Sequence, residues 1–348
     1  MKDQIAFESM IFREKPDFNY MECDDIDFMT RIFVQYPKIR PLNYSQFVAF
    51  SLNYMSIEEL RIKILEKGID SCPSLIYRLF LKGVFAISEV EEAILLSQKK
   101  YHYLFFKKYI VDCSPFIPEF DIVIDSKEED MWKYDEYPEL QLLIDYGFLP
   151  SSIEYCLKYD DIERLKSLSN RVSKQNVCMW NPFEWSNKPS HMDFLSFSSF
   201  FGSIQCFRFL LLMGYQLNDF VPSNAVCSGN FNIFYLCEPF KIAKGLFHKA
   251  AEYFWVSFAK LFLEEGLLID EKDENGFSPL HYAALNGHLG MVVYLVDNMA
   301  FVNSQTEDKN TPLHYACKND NINIVKYLIE NKANEFAKES NLLFLLLV

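Results

Sequence analysis

One segment of the chain repeats itself after 33 residues, and that stride limits the fold more than any other feature of the sequence. From Asp273 to Asn303 the chain reads DENGFSPLHYAALNGHLGMVVYLVDNMAFVN, and from Thr306 to Phe336 it reads TEDKNTPLHYACKNDNINIVKYLIENKANEF. Aligned without gaps, 12 of 31 positions are identical. They include Pro279/Pro312, Leu280/Leu313, His281/His314, Tyr282/Tyr315, Ala283/Ala316, Leu295/Leu328 and Ala300/Ala333. Chance similarity scatters its matches, whereas these fall on apolar and turn positions.

The pattern within one copy predicts two helices. Ser278 or Thr311 can cap the first, and Pro279 or Pro312 takes its first position, where a missing N–H costs nothing. Small residues follow (Ala283-Ala284, Ala316-Cys317), so this helix can approach a neighbour closely. A second helix is expected to place Leu289, Val292, Leu295 and Val296 on one face, matched by Ile322, Val325, Leu328 and Ile329 in the next copy. A lone pair of short helices cannot bury such a face, so copies must stack.

These units resemble ankyrin repeats, a family whose T-P-L-H-x-A signature recurs every 33 residues. The first copy departs little, with Ser278 for Thr and Met299 for the usual glycine after the second helix. The second departs more: Lys309 replaces the hairpin glycine, Asp320 the inter-helix glycine and Asn321 the histidine. The resemblance implies an all-α fold, an α-solenoid of stacked helix pairs with short β-hairpin turns at the C-terminal end. It also implies that Ser278, Pro279, Leu280, His281, Thr311, Pro312, Leu313 and His314 are structural, the histidine bridging backbone groups of adjacent turns. Asn303 stands where the family has a hairpin asparagine, which is hydroxylated in some members; here a structural role is preferred.

Weaker copies precede these two. His248, Ala250 and Ala251 lie one stride upstream, and Gly266 ends the helix that follows. The runs 198–203 and 206–214 fit a further helix pair, and 225–230 begins another. In the N-terminal half, Gly68 and Gly147 read as helix stops, and Ser152 with its neighbours, Ser56/Glu59 and Ser88/Glu91 as capping boxes. Trp180, Pro182, Trp185 and Pro189 punctuate the chain. The expected division is therefore a divergent helical domain at 1–180, open to being degenerate repeats itself, and an ankyrin domain at 190–348. The latter holds degenerate units at about 193–272, clear repeats at 273–305 and 306–338, and an incomplete cap at 339–348, with Leu342–Leu347 packing back on the last helix. This layout is similar to that of the large ankyrin families of protozoan parasites, and the abundance of Phe, Tyr, Ile, Asn and Lys suits an AT-rich genome.

Composition excludes several functions. There are 11 glycines, too few for glycine-loop nucleotide enzymes or sandwiches. The net charge of -14 opposes phosphate backbones and anionic membranes, so no nucleic-acid partner and no membrane insertion are expected. Nine cysteines without a C-x-x-C pair indicate neither a disulfide framework nor a zinc ribbon. Cys178 with His191 is the nearest approach to a nucleophile pair and lacks a protease signature; His102 sits among apolar neighbours and reads as a helix residue. The acids of 22–27 and 128–130 lack the glycine and terminal Glu of a calcium loop. No catalytic residue, metal or cofactor is expected.

Function then falls to surface. The resemblance places partner-binding residues on the hairpin tips and the exposed side of the first helices: Glu274, Asn275, Phe277, Leu285 and Asn286, then Glu307, Asp308, Asn310, Lys318 and Asn319. Phe277 and Leu285 are either apolar anchors or contacts to the next repeat. The preferred reading is a monomeric, non-enzymatic scaffold or adaptor in the cytoplasm or nucleus, whose protein partner carries a basic patch. Two alternatives stay open: an enzyme or enzyme adaptor, such as a ubiquitin-ligase substrate receptor, with its active region in 1–180, and a secreted effector that binds a host protein.

Overall fold

The computed structural model describes residues 51–71, 73–97, 148–172, 192–237 and 244–334, with 29–30, 33, 105–106, 109–110, 142–143 and 177–178. These residues build an all-α protein that divides into two compact units, one ending at Tyr215 and the other beginning at Gln216. The limits expected from the sequence, 180 and 190, both lie before that division; most of the Trp/Pro stretch falls outside the described residues, as do Leu342–Leu347, His102, His191, Gly147 and both acidic runs.

The first unit includes α1 (Glu58–Ser71), α2 (Pro73–Leu81) and α3 (Ile87–Leu96), α1 packing on both others. Gly68 does not stop α1. The helix runs through it, and a Cβ there would stand 2.6 Å from Ile76 Cδ1, so the glycine lets α2 close in. The cap of α3 is likewise shifted from Ser88/Glu91. The Ala86 amide donates to Glu89 Oε2 (2.7 Å) while Arg61 Nη1 holds Oε1 (2.8 Å). Those donors, the amide foremost, keep the Glu89 carboxyl below the usual carboxylate range.

Farther on come α4 (Ile153–Tyr159) and α5 (Ile162–Ser167), each started by a side-chain cap. Ser152 Oγ accepts the Tyr155 amide at 3.1 Å, and Asp161 Oδ1 the Arg164 amide at 3.0 Å. A two-residue antiparallel pair, β1 (Val177–Cys178) with β2 (Met192–Asp193), leads into α6 (Phe194–Phe201) and α7 (Ile204–Leu212). Asp193 caps α6 by accepting the Ser196 amide (2.9 Å), and every residue of α6 is buried. Helix α6 lies on α4 and α7 on α5.

The second unit is a run of four helix pairs: α8 (Phe220–Ser228) with α9 (Phe231–Leu236), α10 (Leu246–Glu252) with α11 (Val256–Glu264), α12 (Pro279–Leu285) with α13 (Leu289–Asp297), and α14 (Pro312–Lys318) with α15 (Ile322–Glu330). First helices stack on first helices, α8 on α10 on α12 on α14, and α13 packs on α15. This is the solenoid arrangement, with one apolar seam shared by successive pairs. Leu289, Val292 and Leu295 are buried, with Met291 beside them, and Val296 is half-buried. In α15 Val325 and Leu328 are buried and Ile329 half-buried, but Ile322 is 56% exposed and Ile324 takes its place in the core. Ile322 opens the last described helix, and no described helix lies beyond it to cover the position that buries Leu289.

A single junction recurs between the helices of each pair. Asp160, Gly202, Gly229, Phe254, Gly287 and Asp320 adopt positive φ of 53–74°. In every case the following amide donates to a carbonyl five residues back, at 2.8–3.0 Å: Asp161 to Cys156, Ser203 to Ser198, Asn230 to Ala225, Trp255 to Ala250, His288 to Ala283 and Asn321 to Ala316. This is the 6→1 bond of a left-handed helix stop, which turns the chain sharply into the next helix. Only three of the six residues are glycine, so composition conceals half of the junctions.

Candidate protein-binding surface

Between α11 and α12, and again between α13 and α14, the chain makes a tight hairpin turn. The Asp273 amide donates to the Phe277 carbonyl (2.9 Å) and the Gly276 amide to the Asp273 carbonyl (3.0 Å); Thr306/Asn310 and Lys309/Thr306 repeat both bonds at 2.9 Å. Gly276 sits at φ 78° and Lys309 at 64°, so the hairpin keeps its shape with a lysine in the left-handed region. Asp273 pins the first turn: its Oδ1 accepts the Asn275 and Phe277 amides (2.9 and 2.8 Å), and its Oδ2 the Tyr282 hydroxyl (2.8 Å). Burial opposes its charge, but the Tyr282 hydroxyl and those amides prevail and hold its carboxyl below the usual range.

Adjacent turns are tied into one edge. The Glu307 amide donates to the Asn275 carbonyl (3.1 Å), Lys272 Nζ to the Gln305 carbonyl (2.7 Å), and Asn319 Nδ2 to the Leu285 carbonyl (2.7 Å). Along this edge Glu274, Asn275, Glu307, Asp308, Lys318 and Asn319 are exposed. Phe277, Leu285, Asn286 and Asn310 are half-buried. The Phe277 ring packs 5.0 Å from Tyr315 of the next pair and 5.4 Å from Tyr282, Asn286 Nδ2 donates to the Tyr282 carbonyl (2.9 Å), and the Asn310 carbonyl accepts from His281.

The repeated histidines join turn to turn. His281 Nδ1 accepts the Ser278 amide (3.0 Å) beside the Ser278 hydroxyl (2.8 Å), and its Nε2–H donates to the Asn310 carbonyl at 3.2 Å. Burial pushes this imidazole down to about 4, so the neutral ring is the working form. His314 makes the same pair of contacts to Thr311 (3.0 and 2.8 Å), and His248 Nε2 donates to the Phe277 carbonyl (3.0 Å). No hydroxyl faces His248 Nδ1, because Gly245 stands at that cap; the buried nitrogen is left unpaired. Asn303, one loop later, bridges to the following pair through Lys332 O (3.1 Å) and the Asn334 amide (2.7 Å).

A second set of ties joins successive pairs, and His288, whose place between the helices marks it as structural, belongs to it. At the position just after the junction, four different side chains donate to a carbonyl near the C-terminal end of the preceding first helix. Trp255 Nε1 reaches Cys227 (3.1 Å), His288 Nε2 reaches Glu252 (3.0 Å), Asn321 Nδ2 reaches Ala284 (3.0 Å), and Ser203 Oγ reaches Leu157. Helix C-termini leave four carbonyls without an intrahelical partner, and these bonds bring a donor to one in each of α4, α8, α10 and α12. Asn321, which departs from the family histidine, performs the same task. The signal available in sequence was position rather than residue type.

Cys156 and Cys206 are among the buried thiols of the described residues. Burial foremost raises Cys156 to about 11 and raises Cys206 further still, which keeps both protonated. Cys178 is buried as well. Among the described residues no three His, Cys, Asp or Glu side chains gather to hold a metal, and no helix is long and apolar enough to cross a membrane.

Comparison with known families agrees with this geometry. A family model described as ankyrin repeats (3 copies) matches residues 195–306 and 247–339. No curated protein matches the chain. The matched region thus carries ankyrin repeats, a type of unit that serves protein–protein interaction and is generally non-enzymatic.

Proposed function

We propose, with the ankyrin repeats of 195–339 as premise, that the protein is a scaffold or adaptor that binds a partner protein along the hairpin edge. The observation that carries this reading is the fixed edge itself. Backbone bonds immobilise the turns while Glu274, Asn275, Glu307, Asp308, Lys318 and Asn319 present their side chains to solvent. Such preorganisation lowers the ordering cost of association. Phe277, Leu285, Asn286 and Asn310 shape the floor beneath that edge. The net charge of -14 favours a partner with a basic patch, encountered faster at low salt.

On this reading the chain acts as a monomer in the cytoplasm or nucleus, with residues 190–348 as the binding domain and 1–180 as a divergent helical companion of the kind found in protozoan ankyrin families. Proximity labelling in the native cell names the partner. Full-length protein carrying Glu274→Arg, Glu307→Arg and Asp308→Arg should then bind it at least tenfold more weakly with an unchanged melting temperature. Undiminished binding by this folded variant refutes the edge as the site.

A further inference from the structure

A different corner of the second unit carries a second set of signs. Its residues surround one hydrogen bond, from the Phe301 amide to Asp270 Oδ1 (2.9 Å), where the exit loops of α11 and α13 meet. Leu268, two residues from Asp270, is 73% exposed; Met299, two residues from Phe301, is 86% exposed; Phe301 itself is 61% exposed. Three large apolar side chains in water at one spot are unusual on a surface with so many charges.

Two local rules are broken at the same place. The second helices of the last three pairs each end on an exposed carboxylate, Glu264 on α11, Asp297 on α13 and Glu330 on α15, at a 33-residue stride. A helix C-terminus already carries partial negative charge and prefers Lys or Arg. Glu265 adds to the row, while Lys260 and Lys332 oppose it only in part. The row is continuous across pairs: the Tyr327 hydroxyl donates to Asp297 Oδ1 (3.0 Å), and after burial the charge of Glu264 pushes the Tyr294 hydroxyl up. Met299 meanwhile adopts φ 69°, where the preceding pair has Gly266 at 81°. The left-handed turn at Met299 ends α13, with the Ala300 amide on the Leu295 carbonyl (3.0 Å), but glycine serves that turn with less strain and the exposed methionine side chain buries nothing.

We propose that the corner formed by Leu268, Met299 and Phe301 is a second docking surface, separate from the hairpin edge, for an amphipathic segment whose apolar side chains are flanked by Lys or Arg. The apolar trio would take the partner's apolar face. The carboxylates at the helix ends, reinforced by the helix dipoles, would take its cations, which removes the electrostatic conflict those acids create in the free protein. The direction of the field selects a cationic partner over a neutral or acidic one.

The test uses the full chain and fluorescence anisotropy with three labelled 18-residue peptides: one alternating Leu and Lys at helical spacing, one of the same pattern with Glu for Lys, and one with Ser for Leu. The Leu/Lys peptide should bind, at least tenfold more tightly than the other two. Leu268→Ser/Met299→Gly/Phe301→Ser should weaken it at least tenfold. Glu264→Gln/Asp297→Asn/Glu330→Gln should weaken it about fivefold and flatten its salt dependence. The edge variant Glu274→Arg/Glu307→Arg should leave it unchanged, so failure here is distinct from failure of the hairpin edge. Equal binding of the Leu/Glu peptide, or full binding by the folded apolar triple variant, overturns the proposal. So does tenfold tighter binding by a chain ending at Asn341, which would identify the chain's own Leu342–Val348 as the occupant.

Discussion

Lys309 shows how far a single residue can depart from its pattern without changing the turn. Its φ of 64° costs roughly 1 kcal/mol relative to glycine, part of which glycine's greater freedom in the unfolded chain returns. Lys309→Gly is therefore expected to stabilise the protein by about 0.5–1 kcal/mol in denaturant melts; a loss of stability would mean that the lysine side chain makes up for the strain. His281 sets a pH dependence. In the unfolded chain its ring protonates near 6.5, whereas burial delays this to about 4 in the folded one. Unfolding takes up a proton between those limits, so stability is complete above pH 6.5, declines as pH falls to 4, and loses about 3 kcal/mol from this residue. His281→Gln should flatten the stability–pH curve over that window. Asp273, held low by its donors, withdraws its own contribution only at still more acid pH.

At the scale of an element, the helix pair is defined by its junction and by the bond that follows it. Gly229 is a tightly constrained junction: it sits at φ 71°, and a Cβ would lie 1.9 Å from the Trp255 ring, which is buried and bonded to Cys227. Gly229→Ala must move that ring or the backbone, and a loss of about 3 kcal/mol or more is expected in thermal and chemical unfolding. Asn321→Ala removes the donor to the Ala284 carbonyl and should cost about 1–2 kcal/mol, most of it recovered by Asn321→His, the residue that makes the equivalent bond at 288. These two sites show why residue type alone is a poor guide to the junctions. The junction needs a left-handed residue, and at Phe254-Trp255, Gly287-His288 and Asp320-Asn321 the side chain that follows donates to the preceding first helix with unrelated chemistry.

At the scale of the whole molecule, stability in the second unit is a sum over neighbours. Leu280 in α12 is fully buried with α10 on one side and α14 on the other, whereas Leu313 in α14 has a described first-helix neighbour on one side only. Both leucines lose the same atoms on truncation, so Leu280→Ala should cost more than Leu313→Ala within the roughly 2–5 kcal/mol range of such changes. The sequence alone determined the 33-residue stride and the paired helices of 279–330, because both rest on periodicity, and its resemblance to ankyrin repeats added the all-α class and the bridging histidine. Tertiary structure alone decided that Gly68 is a contact rather than a stop, that Phe277 lies against Tyr315, that Ile324 rather than Ile322 is buried, and that a carboxylate row adjoins exposed Met299 and Phe301. Those facts depend on which neighbour arrives at a given face, and stacking brings together residues that the local pattern of any one helix leaves undetermined.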